Sequence, residues 1–309
     1  MAKPNLLLHI GAEKTGTSSI QSFFLVNKKA LSEVGVYYLH SPGRADCRSL
    51  PVLCISQNTP DDFLRMEGIK TPAARSKFVE ETQQWLRQQL AGAGEKCHTI
   101  VISSEHLSSR LSSVEAVQRV KELLQPHVTG IRIVCYFRNQ AESLPSSYST
   151  YVLSGGTESL ARFRKRFLKG ASNDLNAMIS RWERVFGKDN IEARIYSRRR
   201  FSGEDLLREF SGFLHGVPQE KLHFGVPLRN RSLSRRGMRL ARAINIVVPR
   251  FDAEDNESEI NRRLVRSVAR LCQGEPLRLN THQREEVLQH FRESNSKLKA
   301  RYFPDESFP

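Results

Sequence analysis

Leu6-Leu7-Leu8-His9-Ile10-Gly11-Ala12-Glu13-Lys14-Thr15-Gly16-Thr17-Ser18 is the stretch whose reading decides the fold. Residues 6–10 form a nearly continuous apolar run, the pattern of a parallel strand covered on both faces. The chain then passes through Gly11 and Gly16, spaced G-x-x-x-x-G, straight into a helical pattern over 18–29. There Ile20, Phe23 and Phe24 recur at spacings of three and four. A strand that turns through glycines into a helix offers backbone N–H groups and the positive helix end to an anion. Thr15, Thr17 and Ser18 add hydroxyl donors without bulk.

Outward from this stretch, 99–102 and 131–137 are further continuous apolar runs. A fourth, 191–196, alternates and reads as nearer a sheet edge. Between them 73–90, 114–124 (stopped by Pro126) and 173–186 carry apolar residues at helical spacing. Strands alternating with helices predict an α/β fold, a parallel sheet with right-handed crossovers. Beyond about 225 the strand signals fade, and 234–248, 257–272 and 281–302 read as helices. The expectation is one domain: an α/β core over about 1–225 and a helical C-terminal portion over about 226–309. Residues 41–71, rich in Pro, Asp and Ser, read as a loop-rich excursion.

Of 309 residues 39% are hydrophobic and 26% charged, enough apolar material for a core. The net charge of +15 favours polyanionic partners: phosphorylated nucleotides, acidic glycans, nucleic acid or an anionic membrane surface. The apolar run at 6–10 is short for a signal segment. No apolar stretch approaches the roughly 18 residues of a membrane span. The five cysteines, at 47, 54, 97, 135 and 272, include no C-x-x-C pair. The expected chain is cytoplasmic, at most peripheral at a membrane, with its oligomeric state open.

A phosphate loop for ATP hydrolysis has Lys directly after its second Gly. Here Thr17 stands there and the lysine is inside the loop at Lys14. The run from Ile10 to Ser18 resembles the 5′-phosphosulfate loop of sulfotransferases that use 3′-phosphoadenosine-5′-phosphosulfate (PAPS), whose pattern is Lys-Thr-Gly-Thr. The resemblance implies a P-loop-kinase-like parallel sheet flanked by helices, with Lys14, Thr15, Gly16, Thr17 and Ser18 on the donor. It extends to Arg138 and Ser146, eight residues apart, both implied on the 3′-phosphate. Gln140 stands where the family often has Pro, and Pro145 is expected to kink or delay the following helix.

Ser103-Ser104-Glu105 is similar to bacterial members and puts Glu105 first and His106 second as the base for an acceptor hydroxyl. The plain alternative is that Glu105 caps the next turn or orients Lys14. Lys14 would hold the phosphosulfate and stabilise the leaving phosphate oxygen, with PAP as product and no metal required. His9 reads as a core histidine. The tail at 293–303 resembles the last helix of bacterial carbohydrate sulfotransferases, which implies a hydroxylated acceptor on a glycan or glycolipid. Basic clusters lie at 162–169, 194–200 and 229–242, and Arg235-Arg236-Gly237 is loosely similar to an Arg-Lys-Gly element on the 3′-phosphate. Three alternatives stand beside this reading. They are a P-loop small-molecule kinase, a nucleic-acid-binding protein using the basic clusters, and a catalytically inactive relative. The clusters lack the aromatic–basic interleaving of nucleic-acid modules, so nucleic acid is not the expected partner.

Overall fold

A computed structural model describes residues 3–94, 96–197, 201, 204–226, 233–306 and 308. In chain order the elements begin with β1 (Asn5–Gly11), α1 (Thr17–Val26), α2 (Lys28–Glu33), β2 (Val36–Leu39), α3 (Ser49–Cys54) and α4 (Asp62–Met66). Next come α5 (Pro72–Ala91), β3 (Thr99–Ser103), α6 (His106–Arg110), α7 (Val114–Leu124), β4 (Ile131–Phe137), α8 (Gln140–Leu153) and α9 (Leu160–Leu168). The chain continues through α10 (Leu175–Phe186), β5 (Ile191–Ile195), α11 (Asp205–Ser211), α12 (Arg235–Val247), α13 (Glu259–Leu271) and α14 (Thr281–Tyr302).

The five strands form one all-parallel sheet in the order β2-β3-β1-β4-β5, so the α/β reading holds. β1 is central because it is apolar on both faces, with residues 6–11 all buried. After β1 the chain works along one side of the sheet through β2 and β3, then crosses to β4 and β5. The direction of strand addition switches beside β1, and the carboxyl ends of the strands at such a switch are where ligands of open α/β sheets bind. β5 lies at an edge, as its alternation predicts. β2 forms the other edge and was not expected from the sequence.

The described chain divides into two compact units. The sheet lies in the first, which comprises Met1–Thr59, Thr71–Arg138 and Leu175–Arg229. One face of it packs Phe23, Phe24, Tyr38, Tyr136 and Phe210, all essentially inaccessible. Phe24 stacks on Tyr38 with centroids 4.7 Å apart. The region 18–29, expected as one helix, is two: Asn27 ends α1, its amide donating to Phe23 O (2.9 Å) and His223 O (2.9 Å). The expected loop over 41–71 also contains helices, α3 and α4.

The second unit comprises Pro60–Lys70, Asn139–Asp174 and Asn230–Pro309. Its core joins Leu144, Tyr148, Phe163, Met238, Val265 and Phe291 from five helices. Pro145 does not break α8, which runs through it from 140 to 153. Gln140 is buried and exchanges two side-chain hydrogen bonds with Asn295 of α14, at 2.9 and 3.0 Å. Proline cannot make that exchange, which accounts for glutamine at this position. Among the described residues no helix is long and apolar enough to cross a membrane.

Candidate active site

The loop from Gly11 to Gly16 is built by its own hydrogen bonds. Gly11 (φ 102°) ends β1, Ala12 N–H donates to Tyr136 O of β4 (3.0 Å), and the Thr15 hydroxyl donates to Ala12 O (2.6 Å). Thr15 is fully buried with that hydroxyl spent inside the loop, so it serves the loop's shape. Gly16 (φ 84°) precedes α1, and its carbonyl accepts from Ser19 N and Ile20 N, at 2.9 and 3.2 Å. Helix geometry leaves the first-turn N–H groups of α1 pointing out of its positive end.

Both glycines are favoured by their positive φ, and a side chain at either would also press on a neighbour. A Cβ on Gly11 would stand 3.0 Å from Glu105 Cα, and one on Gly16 would stand 2.4 Å from Leu206 Cδ2. The loop therefore lies flush against Glu105. Lys14 adopts a left-handed backbone (φ 67°), a conformation that costs a non-glycine residue about 1–2 kcal/mol and is characteristic of functional turns.

Arg138 follows directly on β4 and is 7% exposed. Its Nη1 donates to Lys14 O (3.0 Å), and its guanidinium carbon lies 5.6 Å from the centroid of the Tyr196 ring. The arginine is thereby tied to the loop, with the tyrosine ring within cation–ring distance of its guanidinium. Tyr196 also borders Gly16, its Cε2 being 3.4 Å from the Cβ position there. Sequence reasoning read this tyrosine only as the end of an edge strand. Ser146 belongs to the second unit, half-buried on α8.

Glu105 follows β3 at the start of α6, yet its side chain makes no helix-capping bond. Instead Oε2 accepts from Gln21 Nε2 of α1 at 2.7 Å. The same amide nitrogen lies 3.4 Å from Ser103 Oγ, and Ser103 Oγ lies 2.8 Å from Nδ1 of His9. Burial lowers the pKa of His9 to about 3, so its ring is neutral at ordinary pH and sits edge-on to Phe210 (5.1 Å). His9 is the core histidine the sequence predicts, with the added task of ending this polar chain. Burial raises the pKa of the Glu105 carboxyl, and the charges of Asp46 and Glu13 add to the effect. Its hydrogen bonds from its own backbone and from Gln21 oppose them.

His106, the other candidate base, is half-buried with Nδ1 4.0 Å from Glu13 Oε1. The first unit thus brings together Lys14, Gly16, Arg138 and Glu105 around one loop, with Gln21, Ser103 and Tyr196 supporting them. Gln21 had a signal: with Thr17 and Phe24 it falls at i, i+4 and i+7, a polar residue on the buried stripe of α1.

The basic clusters are partly ion-paired. Arg164 and Arg166 pair with Glu286 and Glu158 at 3.0 and 2.9 Å. Arg194 reaches Glu192 at 3.2 Å. Arg198–Arg200, Arg229 and Arg231 lie outside the described residues. In Arg235-Arg236-Gly237 the glycine allows close packing, since its Cβ would stand 2.8 Å from Cys272 Cβ.

No protein-family model matches this sequence. It is 27% identical over 209 residues to an uncharacterized protein of Archaeoglobus fulgidus, across 66% of this chain. The chain spans about half (54%) of that relative's length. Among solved structures a sulfotransferase from Alicyclobacillus acidocaldarius matches 98% of this chain and 96% of its own, with a TM-score of 0.52 at 14% identity. The chain has the α/β fold of a sulfotransferase. The sulfotransferase domain from the curacin biosynthetic pathway covers 94% of this chain and 99% of itself, at 11% identity and a TM-score of 0.43. Fold alone does not fix chemistry, which has to be argued from the side chains.

Proposed function

We propose that this chain is a sulfotransferase that moves a sulfuryl group from PAPS to an acceptor hydroxyl, on a carbohydrate or glycolipid. One observation carries the reading. A glycine-bounded loop leading into a helix N-terminus is tied through Lys14 O to a buried arginine, and it lies flush against a carboxylate of raised pKa. The donor supplies the sulfuryl group, its S–O bond to the 5′-phosphate breaking as the acceptor oxygen bonds to sulfur. Glu105 takes the acceptor's hydroxyl proton, and its raised pKa makes it a better base at neutral pH. Gln21 holds that carboxylate to the helix whose N-terminus faces the phosphate. The Lys14 ammonium meets negative charge developing on the leaving phosphate oxygen.

Arg138 is assigned to the 3′-phosphate, where a guanidinium offers two parallel donors. Ser146 stays with it through their spacing in the sequence. Titration calorimetry with adenosine 3′,5′-bisphosphate, beside ATP with and without Mg²⁺, tests the reading. Tight metal-independent binding of the bisphosphate, lost in Arg138→Ala, is expected. Binding of Mg²⁺-ATP in its place would overturn it in favour of a kinase.

A further inference from the structure

Apolar side chains left on the surface are concentrated in one place. Leu240, Ile246 and Val247 of α12 and Ile260, Leu264 and Leu271 of α13 are six of the eight large hydrophobics exposed among the described residues. Val247 and Leu271 are 80% and 84% accessible. Scattered single residues of this kind are ordinary, whereas a cluster on adjacent helices marks a contact surface.

The spacing shows that these residues form stripes. On α13 Ile260, Leu264, Ser267 and Leu271 recur at i, i+4, i+7 and i+11, one line along a helix. On α12 Leu240, Ala243 and Val247 follow the same line. The opposite faces are buried. Asn261 Nδ2 donates to Asn245 Oδ1 (3.0 Å) and to Val248 O (2.7 Å), and Gly237 packs on Cys272. Helix-to-helix packing therefore uses a different side of each helix from the one that carries the stripe.

Beside the stripes runs a row of charge of one sign. α12 contains four arginines and no acid, and α13 contains four arginines and one glutamate, Glu259, which pairs with Arg263 (2.7 Å) and Arg262 (3.6 Å). Arg235, Arg236, Arg239, Arg263, Arg266 and Arg270 are exposed. A second copy of this chain seated on the surface would set arginine against arginine. Nucleic acid would match the charge but has no use for exposed Val247, Ile260 and Leu271. The headgroup layer of an anionic bilayer matches both, taking the apolar stripe at the acyl boundary and the guanidinium groups among phosphates. We infer that the α12–α13 hairpin is a docking face for an anionic lipid surface, on which the chain rests without crossing it.

The inference is independent of the reaction and has its own test. The full chain is mixed with vesicles of phosphatidylglycerol and phosphatidylcholine, and with vesicles of phosphatidylcholine alone, and sedimented. Binding to the anionic vesicles only is expected. Val247→Gln/Ile260→Gln/Leu271→Gln is expected to lower that binding on the order of tenfold, and Arg263→Gln/Arg266→Gln/Arg270→Gln on the order of tenfold or more. These side chains are exposed and glutamine suits a helix, so circular dichroism should show both variants folded. Failure of the native chain to bind anionic vesicles would overturn the inference. So would a loss confined to the arginine variant, because any cationic surface would then suffice. A concentration-dependent dimer that the first variant returns to monomer, with vesicle binding unchanged, would assign the face to a second copy. Tight binding to duplex DNA with vesicle binding insensitive to the first variant would assign it to nucleic acid.

Discussion

At the end of β1 the charged side chains are individually tied: the buried Arg138 to Lys14 O and Tyr196, the half-buried Glu105 to Gln21. On α12 and α13 eight arginines share one glutamate, and most stand in solvent. One net charge of +15 therefore covers two designs. A buried, hydrogen-bonded charge keeps its direction and is weakly screened, which suits chemistry on a particular bond. Exposed arginines interact over a Debye length of about 8 Å at physiological salt, which suits attraction to a surface of any detailed shape. Salt should thus separate the two. Raising it should release the chain from anionic vesicles while changing bisphosphate affinity less.

The largest expected effect belongs to the buried design. Glu105→Gln should lower single-turnover sulfuryl transfer by about 10²- to 10⁴-fold, the usual worth of a positioned base, while adenosine 3′,5′-bisphosphate still binds. Turnover equal to that of the native chain would remove Glu105 from the chemistry and leave His106 as the candidate. Second in size is Arg138→Ala. Truncating one member of a buried hydrogen-bonded charge costs about 2–4 kcal/mol, so the bisphosphate Kd should rise roughly 30- to 1000-fold by calorimetry. The arginine variant of α13 should leave that Kd within about threefold. Similar losses in both would mean that the two regions do not divide the charge as argued.

What the sequence disclosed follows the same division. β1, β3, β4 and β5 were legible because strands covered on both faces are written as continuous apolar runs, or as alternation at an edge. β2 was not, because Val36–Leu39 is four residues long and follows directly on a helix and Gly35. α8 was expected as a helix that Pro145 would kink or delay, and it instead starts at Gln140 and runs through the proline to Leu153. In the site, Arg138 and Glu105 follow β4 and β3 and Lys14 and Gly16 lie in the loop after β1, the ends where ligands of open α/β sheets bind, while the roles expected of them came from the family resemblance. Gln21 was signalled only by its place on the buried stripe of α1, which marks it as inward but not as a partner of any one group. What gives it meaning is Glu105, 84 residues away. The exposed stripe of α13 was hidden because apolar residues at helical spacing read as core.

Gly16 tests the loop's geometry with a smaller effect. Alanine there must hold φ near 84° and displace the end of the Leu206 side chain. A cost of about 1–2 kcal/mol in urea unfolding is expected, together with weaker bisphosphate binding. An unchanged unfolding midpoint would show that the loop relaxes to accept a side chain.

The smallest effect is the one whose sign says most about Glu105. Its pKa is raised in the fold, chiefly by burial. Folding therefore favours the protonated form, and ionised Glu105 opposes stability as pH rises through the raised pKa. Glu105→Gln should melt higher than the native chain above that pH and at the same temperature in acid, below the ordinary glutamate range. The same substitution would then be the most damaging to turnover and mildly stabilising to the fold. Gln21→Leu should act in the other direction on the carboxyl. Its hydrogen bond holds the ionised form, so its loss raises the pKa further and moves the acid limb of the turnover profile to higher pH. A profile whose acid limb stays in place would separate Gln21 from the base and reduce it to packing. A limb that moves would tie the reacting carboxylate to the helix that holds the phosphate, a coupling absent from the diffuse charge of α12 and α13.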